Sequence, residues 1–351
     1  MKTDLLPLNE RSLALAAELI RAGETVAFPT ETVYGLGADA RNESAVARIF
    51  EAKGRPNDNP LIVHVADKEQ ILSVAAEISP AAQKLIDAFM PGPITVVMPK
   101  RPDIPLCVTG GLDTAGVRLP VHEGARRFLR ACGCPIAAPS ANSSGKPSPT
   151  TARHVWDDLK NKIPLILDGG ACGGGVESTV ISVCGSVPLL LRPGLVTAEQ
   201  LTAVLGKIDI HPAILRAVEV DRAASPGMKY KHYAPRARVL VLDMPARDAC
   251  RVYDAAIAAG KKPLLLWREE ELSAFAPRHA LPFYAHGDAS IAARGLFAAL
   301  RRADDEGFDT VLVTAVPTDG AGLSVMNRLL RAASFTVLHA QEAQKPFSSY
   351  E

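Results

Sequence analysis

The chain has 351 residues, 48% of them hydrophobic, and a formal charge of +1. That length predicts two ordinary domains, and the near-neutral balance excludes a globally basic nucleic-acid coat, so any basic patch is local. The N-terminus Met1-Lys2-Thr3-Asp4 has no basic segment leading into an apolar run, and no stretch is long enough to span a bilayer, which predicts a cytoplasmic protein without membrane partners.

Asn9 is placed to cap a helix whose apolar positions Leu13, Ala16, Leu19 and Ile20 recur at helical spacing before Gly23. A strand from Thr25 to Phe28 then delivers Pro29-Thr30-Glu31-Thr32. A second helix, Ala45 to Ala52, stops at Gly54 and Pro56, which sets Lys53 and Arg55 at a helix-to-loop junction. Strands are predicted over 61–65, Ile94 to Met98 and 116–119, followed by a helix from His122 to Ala131. Further strands are predicted over 135–138, 163–167, 178–183 and 189–191. Without strict βαβ alternation, this half reads as a twisted mixed sheet with flanking helices.

From Gly206 to Pro235 the pattern weakens into a long polar connection, a length that is uncommon unless functional or linking. Beyond it, apolar strands at 239–242, 263–267 and 310–314 alternate with helices such as Ile291 to Arg302 and Leu323 to Ala333. That is the pattern of a smaller parallel α/β, Rossmann-like domain. The expected division is 1–206 catalytic, 207–236 linker and 237–351 C-terminal domain. The second half has no Gly-x-Gly-x-x-Gly after its first strand. Gly145-Lys146 fails as a P-loop, with Ser140 at the leading Gly position and Pro147 where Ser or Thr is required.

Six cysteines, Cys107, Cys132, Cys134, Cys172, Cys184 and Cys250, form no CxxC pairs and read as reduced, mostly buried thiols. Cys132-Gly133-Cys134 reads as a helix end running into a strand.

Two polar clusters, Lys53-Gly54-Arg55-Pro56 and Ser140-Ala141-Asn142-Ser143-Ser144-Gly145, supply cations, hydroxyls and an amide suited to a nucleoside triphosphate. With Pro29 to Leu36 upstream and Gly173-Gly174-Gly175-Val176-Glu177-Ser178-Thr179-Val180 downstream, their order resembles the YrdC-like threonylcarbamoyl-AMP synthase family. Ser225-Pro226-Gly227-Met228-Lys229-Tyr230-Lys231-His232-Tyr233-Ala234-Pro235 resembles the linker of the long, two-domain form of that family.

The resemblance implies that L-threonine, bicarbonate and ATP, with Mg²⁺, yield threonylcarbamoyl-adenylate and pyrophosphate. The product serves threonylcarbamoyl modification of the tRNA adenosine beside the anticodon. It implies further that Lys53, Arg55 and Arg192 contact phosphates, with Lys53 and Arg55 the catalytic pair. Asn59, Thr114, Ser140, Asn142 and Ser148 would line the nucleotide, and Tyr233 would close over it. Thr32, His64, Arg118, the Ala138 backbone and Ser178 would hold threonine, with Arg118 clamping the α-carboxylate. No side chain is assigned to a metal. A tRNA threonylcarbamoyl transferase complex is the expected recipient of the adenylate, and a weak RNA contact is a further expectation.

Each assignment has a plainer competitor. Arg118 in an apolar strand can be a structural ion pair, and His64 a hydrogen-bonded core histidine. Thr30-Glu31-Thr32 can be a polar turn, and Gly173 to Gly175 is permissive backbone in either case. Ser148 and Asn59 can simply satisfy turns. As whole functions, the rivals are an RNA-binding module and a carbamoyl-adenylate synthase of hydrogenase maturation. The second would bring zinc-binding modules, for which there are no CxxC pairs.

Overall fold

The computed structural model describes residues 1–218, 226 and 232–350. The chain divides into two compact units, one built chiefly on Met1–Ser144 and Ser148–Ile214, the other on Gly145–Pro147, Leu215–Ala217 and 232–350. No helix among the described residues is long and apolar enough to cross a membrane.

In the first unit eleven strands form one mixed sheet: β1 (Asp4–Pro7), β2 (Val26–Phe28), β3 (Gly35–Asp39), β4 (Ile62–His64), β5 (Ile94–Pro99), β6 (Thr114–Arg118), β7 (Ile136–Ala138), β8 (Leu165–Asp168), β9 (Thr179–Ser182), β10 (Leu189–Arg192) and β11 (Asp209–Ile210). Their order is β1-β8-β2-β3-β7-β4-β6-β5-β9-β10-β11. The middle alternates in direction: β4 pairs antiparallel with β7 and parallel with β6, and β5 antiparallel with β6 and parallel with β9. Segments distant in sequence therefore end side by side.

The first helix, Glu10–Arg21, begins where expected, with Asn9 and Ser12 forming a reciprocal capping box. Its buried face, Leu13, Ala16, Ala17 and Ile20, packs with Phe128 and Leu129. The helix Glu43–Lys53 ends at Gly54 with φ 60°, a left-handed conformation that glycine adopts at little cost. The turn leaves Lys53 as the last helical residue and sends Arg55 into the loop.

β1 and the helices Ala152–Leu159 and Ala198–Leu205 lie outside the sequence reading, and three further features depart from it. β3, inside the Tyr34-Gly35-Leu36 motif, is a strand lacking β-branched residues; a Cβ on Gly37 would come within 2.7 Å of Ile136. The helix Pro80–Phe89, capped by Ser79, was not predicted. The connection expected beyond Gly206 is not structureless at its start, because β11 adds an edge strand beside β10.

The second unit holds β12 (Arg238–Asp243), β13 (Pro263–Arg268), β14 (Ala280–Tyr284), β15 (Thr310–Thr314) and β16 (Val337–His339) in the order β14-β13-β15-β12-β16, all parallel. β15 lies between β12 and β13, unlike the dinucleotide-binding order, in which the first two strands are neighbours. Leu240, Leu242, Leu265, Trp267 and Leu312 are fully buried in its core, and the Trp267 indole N–H donates to Glu271 Oε2 at 2.7 Å.

Candidate active site

β6 ends on Arg118, paired in register with His64 at the end of β4. The Arg118 side chain is only 4% exposed; its Nη2 donates to Glu31 Oε1 at 2.7 Å and to Thr32 Oγ1 at 2.8 Å. Burying a guanidinium costs several kcal/mol, roughly, unless a carboxylate and further acceptors offset it. The turn that supplies those acceptors is held by Thr30, whose Oγ1 accepts from the Thr32 and Val33 N–H groups and donates to Val33 O. Arg118 Nε and Glu31 Oε2 are buried without a protein partner. The Thr30-Glu31-Thr32 segment is thus a polar turn that aims two side chains at Arg118.

His64 is buried, and its Nδ1 lies 3.2 Å from Ile62 O. Burial first, and the Arg118 charge second, push its pKa down to about 3, so the ring is neutral near pH 7. The Cys172 thiol is pushed up to about 12 by burial, with Glu31 adding to the rise, so it stays protonated near pH 7.

Ser178 joins the two expected subsites. Its Oγ lies 2.8 Å from Thr95 Oγ1 and accepts from Arg192 Nη2 at 3.1 Å, while Arg192 Nε donates to Ser178 O. The residue assigned to phosphate and the residue assigned to threonine thus touch each other.

On the nucleotide side, Lys53 is 3% exposed. Its Nζ donates to the carbonyls of Ser140 and Asn142, each at 2.5 Å, and Ser144 N–H donates to Lys53 O. Ser140 Oγ donates to Asn142 Oδ1 at 2.5 Å. The two polar clusters of the sequence do meet, but the ammonium organises the loop from within. Arg55 Nη2 reaches the carbonyls of Asn59 and Pro60 at 3.4 and 3.3 Å. The Asn59 side chain is buried, and neither its amide oxygen nor its nitrogen has a protein partner. Nearby, a small cleft with a volume of about 10 Å³ is lined by Pro60, Ile62, Thr95, Thr114, Val180 and Pro226.

The remaining expected residues make other contacts. Ser148 Oγ donates to Glu177 Oε1 in a buried pair. Ala138 ends β7 opposite Ile62. Tyr233 belongs to the second unit, where its ring stacks on Phe297 at 5.4 Å and under the Arg328 guanidinium. Of the Ser225 to Pro235 segment, Ser225 and 227–231, including Lys229, Tyr230 and Lys231, lie outside the described residues.

The sequence reading assigned no role to Glu31 of its own, nor to Thr95, Glu177 or Cys172. Thr95 had a signal, as the one polar residue in the run from Ile94 to Met98. Gly174 proves more than permissive: its N–H donates to Glu31 O, and a Cβ there would come within 2.8 Å of that oxygen.

The fold is that of an α/β protein whose mixed sheet buries a charge-matched cluster around Arg118, beside a loop held by the Lys53 ammonium. Residues 18–194 match the Sua5, YciO and YrdC family model described as "Telomere recombination", and 196–334 match "Threonylcarbamoyl-AMP synthase, C-terminal domain". The chain is 47% identical to a threonylcarbamoyl-AMP synthase of Pyrococcus abyssi, with 94% of this chain and 96% of the relative covered. It is 43% identical to that of Bacillus subtilis, with 96% and 97% covered. A crystal structure of P. abyssi Sua5 complexed with L-threonine superposes with a TM-score of 0.89 at 46% identity, covering 96% of this chain and 98% of that one. The chain therefore belongs to the threonylcarbamoyl-AMP synthase family in its two-domain form, and its activity is the synthesis of threonylcarbamoyl-AMP for tRNA modification.

Proposed function

We propose that the pocket around Arg118 holds L-threonine and that the neighbouring loops hold ATP, so that a carbamate built from threonine and bicarbonate attacks the α-phosphate and expels pyrophosphate. The observation that carries this reading is the buried Arg118, whose guanidinium faces Glu31 and Thr32 while its Nε has no protein partner. Arg118 clamps the α-carboxylate, and Thr32, His64, the Ala138 backbone and Ser178 surround the rest of the amino acid. Neutral His64 reads polarity without adding charge. A site built to hydrogen-bond the threonine hydroxyl rejects valine, because its buried partners would be left unpaired.

For ATP, the unpartnered amide of Asn59 offers a donor and an acceptor, and Thr114 lines the adjoining space. Arg55 and Arg192 meet the phosphates. Lys53 shapes the loop carrying Ser140 and Asn142 and lends it positive charge. Ser148 adds a hydroxyl at the edge, and the assignment of Tyr233 to the nucleotide rests on its motif. The attacking carbamate is already an anion, so this step needs alignment of two anions and neutralisation of the leaving group, not a strong base.

Mg²⁺ is proposed to arrive with the triphosphate. Among the described residues no three His, Cys, Asp or Glu side chains gather as a cage, and this ion usually keeps waters and substrate phosphates as ligands. Bound there, it would offset charge on pyrophosphate. Residues 1–206 would be the catalytic domain, 207–236 a linker covering the active site, and 237–351 a further α/β domain. Pro226, which lines the space beside Thr114, supports that role for the linker. A cytoplasmic enzyme with six free thiols, handing its adenylate to a tRNA threonylcarbamoyl transferase complex, completes the proposal.

Pyrophosphate release tests it. Release should require threonine and bicarbonate together; salt-steep RNA binding without turnover would instead support a binding module.

A further inference from the structure

The pair formed by buried Arg118 and partly buried Glu31 is only half used by its own bond. Arg118 Nη2 and Glu31 Oε1 meet at 2.7 Å, while Arg118 Nε and Glu31 Oε2 are buried without a protein partner. Each charge of the pair thus keeps one polar atom available, of opposite kinds, in the same pocket. A buried ionised group normally has every such atom bonded. An α-amino acid presents a matching pattern, with a carboxylate and an ammonium attached to one carbon.

We infer that Glu31 receives the α-ammonium of the amino-acid substrate and takes its proton, so that Arg118 and Glu31 together read the zwitterion. This rests on the reading of the pocket as the threonine site. It gives Glu31 a catalytic role before the adenylation step, where the amine must become a nucleophile. Glu31 Oε2 accepts a proton from the ammonium, which leaves a neutral amine and a protonated carboxyl. The nitrogen lone pair then attacks the bicarbonate carbon, an N–C bond forms, and the C–OH bond breaks. The departing hydroxide takes a second proton from nitrogen to leave as water, and the product is the carbamate anion.

Charge favours the sequence of events. A zwitterion adds no net charge to the ion pair. Its carbamate product carries two negative charges, which an ionised Glu31 would repel and a protonated one does not. Glu31 is also held to the site from behind, since its carbonyl accepts the N–H of Gly174, whose lack of a side chain allows the approach. The groups facing its carboxyl are Arg118 from β6, His122 after that strand and the Cys172 thiol, and the last two both register its charge. His122 caps the next helix through Nδ1, which accepts from Ala125 N–H, so that nitrogen is committed elsewhere.

The test compares L-threonine with its 2-hydroxy analogue, 2,3-dihydroxybutanoate, by calorimetry. The unaltered chain should prefer threonine by about tenfold or more, the scale of a hydrogen bond to a charged group. Glu31→Gln keeps the shape and an acceptor for Arg118 but removes the charge. Threonine affinity should fall by about tenfold, affinity for the hydroxy analogue should stay within about twofold, and the lost turnover should recover as rising pH frees the amine. Equal loss of both ligands, or a pH profile parallel to that of the unaltered chain, makes Glu31 only the counter-ion of Arg118 and overturns the inference. If Glu31→Gln does not fold, the unaltered chain still decides, because equal affinity for the two ligands overturns it too. Failure of the unaltered chain to bind either ligand defeats the threonine reading instead.

Discussion

The sheets of the two units use burial in opposite ways. In the second unit the fully buried stretches of β12, β13 and β15, such as Val239 to Leu242 and Val311 to Val313, are apolar. In the first, β4, β5, β6 and β10 bury His64, Thr95, Arg118 and Arg192 at comparable depth. An apolar parallel strand needs only neighbours; a buried charge needs a dedicated partner or a ligand. The buried charges that interrupt the apolar pattern are where the proposed chemistry falls, whereas the polar residues buried in β12, β13 and β15 are only the threonines Thr310 and Thr314 at the ends of β15.

Arg118→Ala tests that contrast most severely. Truncating one member of a buried pair costs about 3–5 kcal/mol, so threonine affinity should fall by more than about 100-fold, with ATP affinity changing only a few-fold. Calorimetry giving equal losses for both ligands, or an unfolded chain, would return Arg118 to a structural role.

Leu312→Ala should do the reverse. A cavity in the second core costs about 2–5 kcal/mol of stability, visible in denaturant titration, while threonine affinity should be unchanged. A parallel loss of threonine binding would erase the distinction drawn here. The double variant Lys53→Ala, Arg55→Ala should reduce pyrophosphate formation by roughly 100-fold or more with the fold intact, since each lost charged hydrogen bond costs about 1.5–3 kcal/mol. Near-normal turnover would remove both from the nucleotide site.

His64 carries a pH signature. Its folded-state pKa of about 3 lies below the unfolded value near 6.5. Between those values the unfolded chain binds the proton and the folded chain does not, so stability rises with pH across the window and is lost on acidification. His64→Gln should flatten that slope in melts collected from pH 4 to 7. The smallest effect is expected of Thr95→Val, which removes the Ser178 hydroxyl's partner at 2.8 Å. A neutral hydrogen bond contributes about 1 kcal/mol, so threonine binding should weaken about fivefold, and no change would place Ser178 outside the amino-acid site.

Much of this was legible in the sequence, for identifiable reasons. Periodicity and caps located the helix after Asn9 and most central strands of both sheets, because apolar spacing is a local property, but not the short or edge strands β1, β3, β11, β14 and β16. The threonine-side assignments drew on motif order, and the Thr32, Arg118 and His64 cluster is compact. Two contacts were not legible. The turning of Lys53 onto the Ser140 and Asn142 carbonyls depends on a non-local approach, and so does the bond of Ser178 to Arg192. Glu31 was visible in its motif yet passed over, since its significance lies in which of its oxygens is left over.

The strand order of the first sheet has a kinetic consequence. The proposed pocket draws on Thr32, His64, Thr95, Arg118 and Ser178, and the segments that carry them become neighbours only when parts far apart in the chain have paired. Such long-range pairings form late and slowly. A nascent or truncated chain that stops before Ser178 lacks that residue and the parallel partner of β5, so on this reading it would carry no complete site. Activity should appear in a single step on refolding, and its rate should report closure of the sheet.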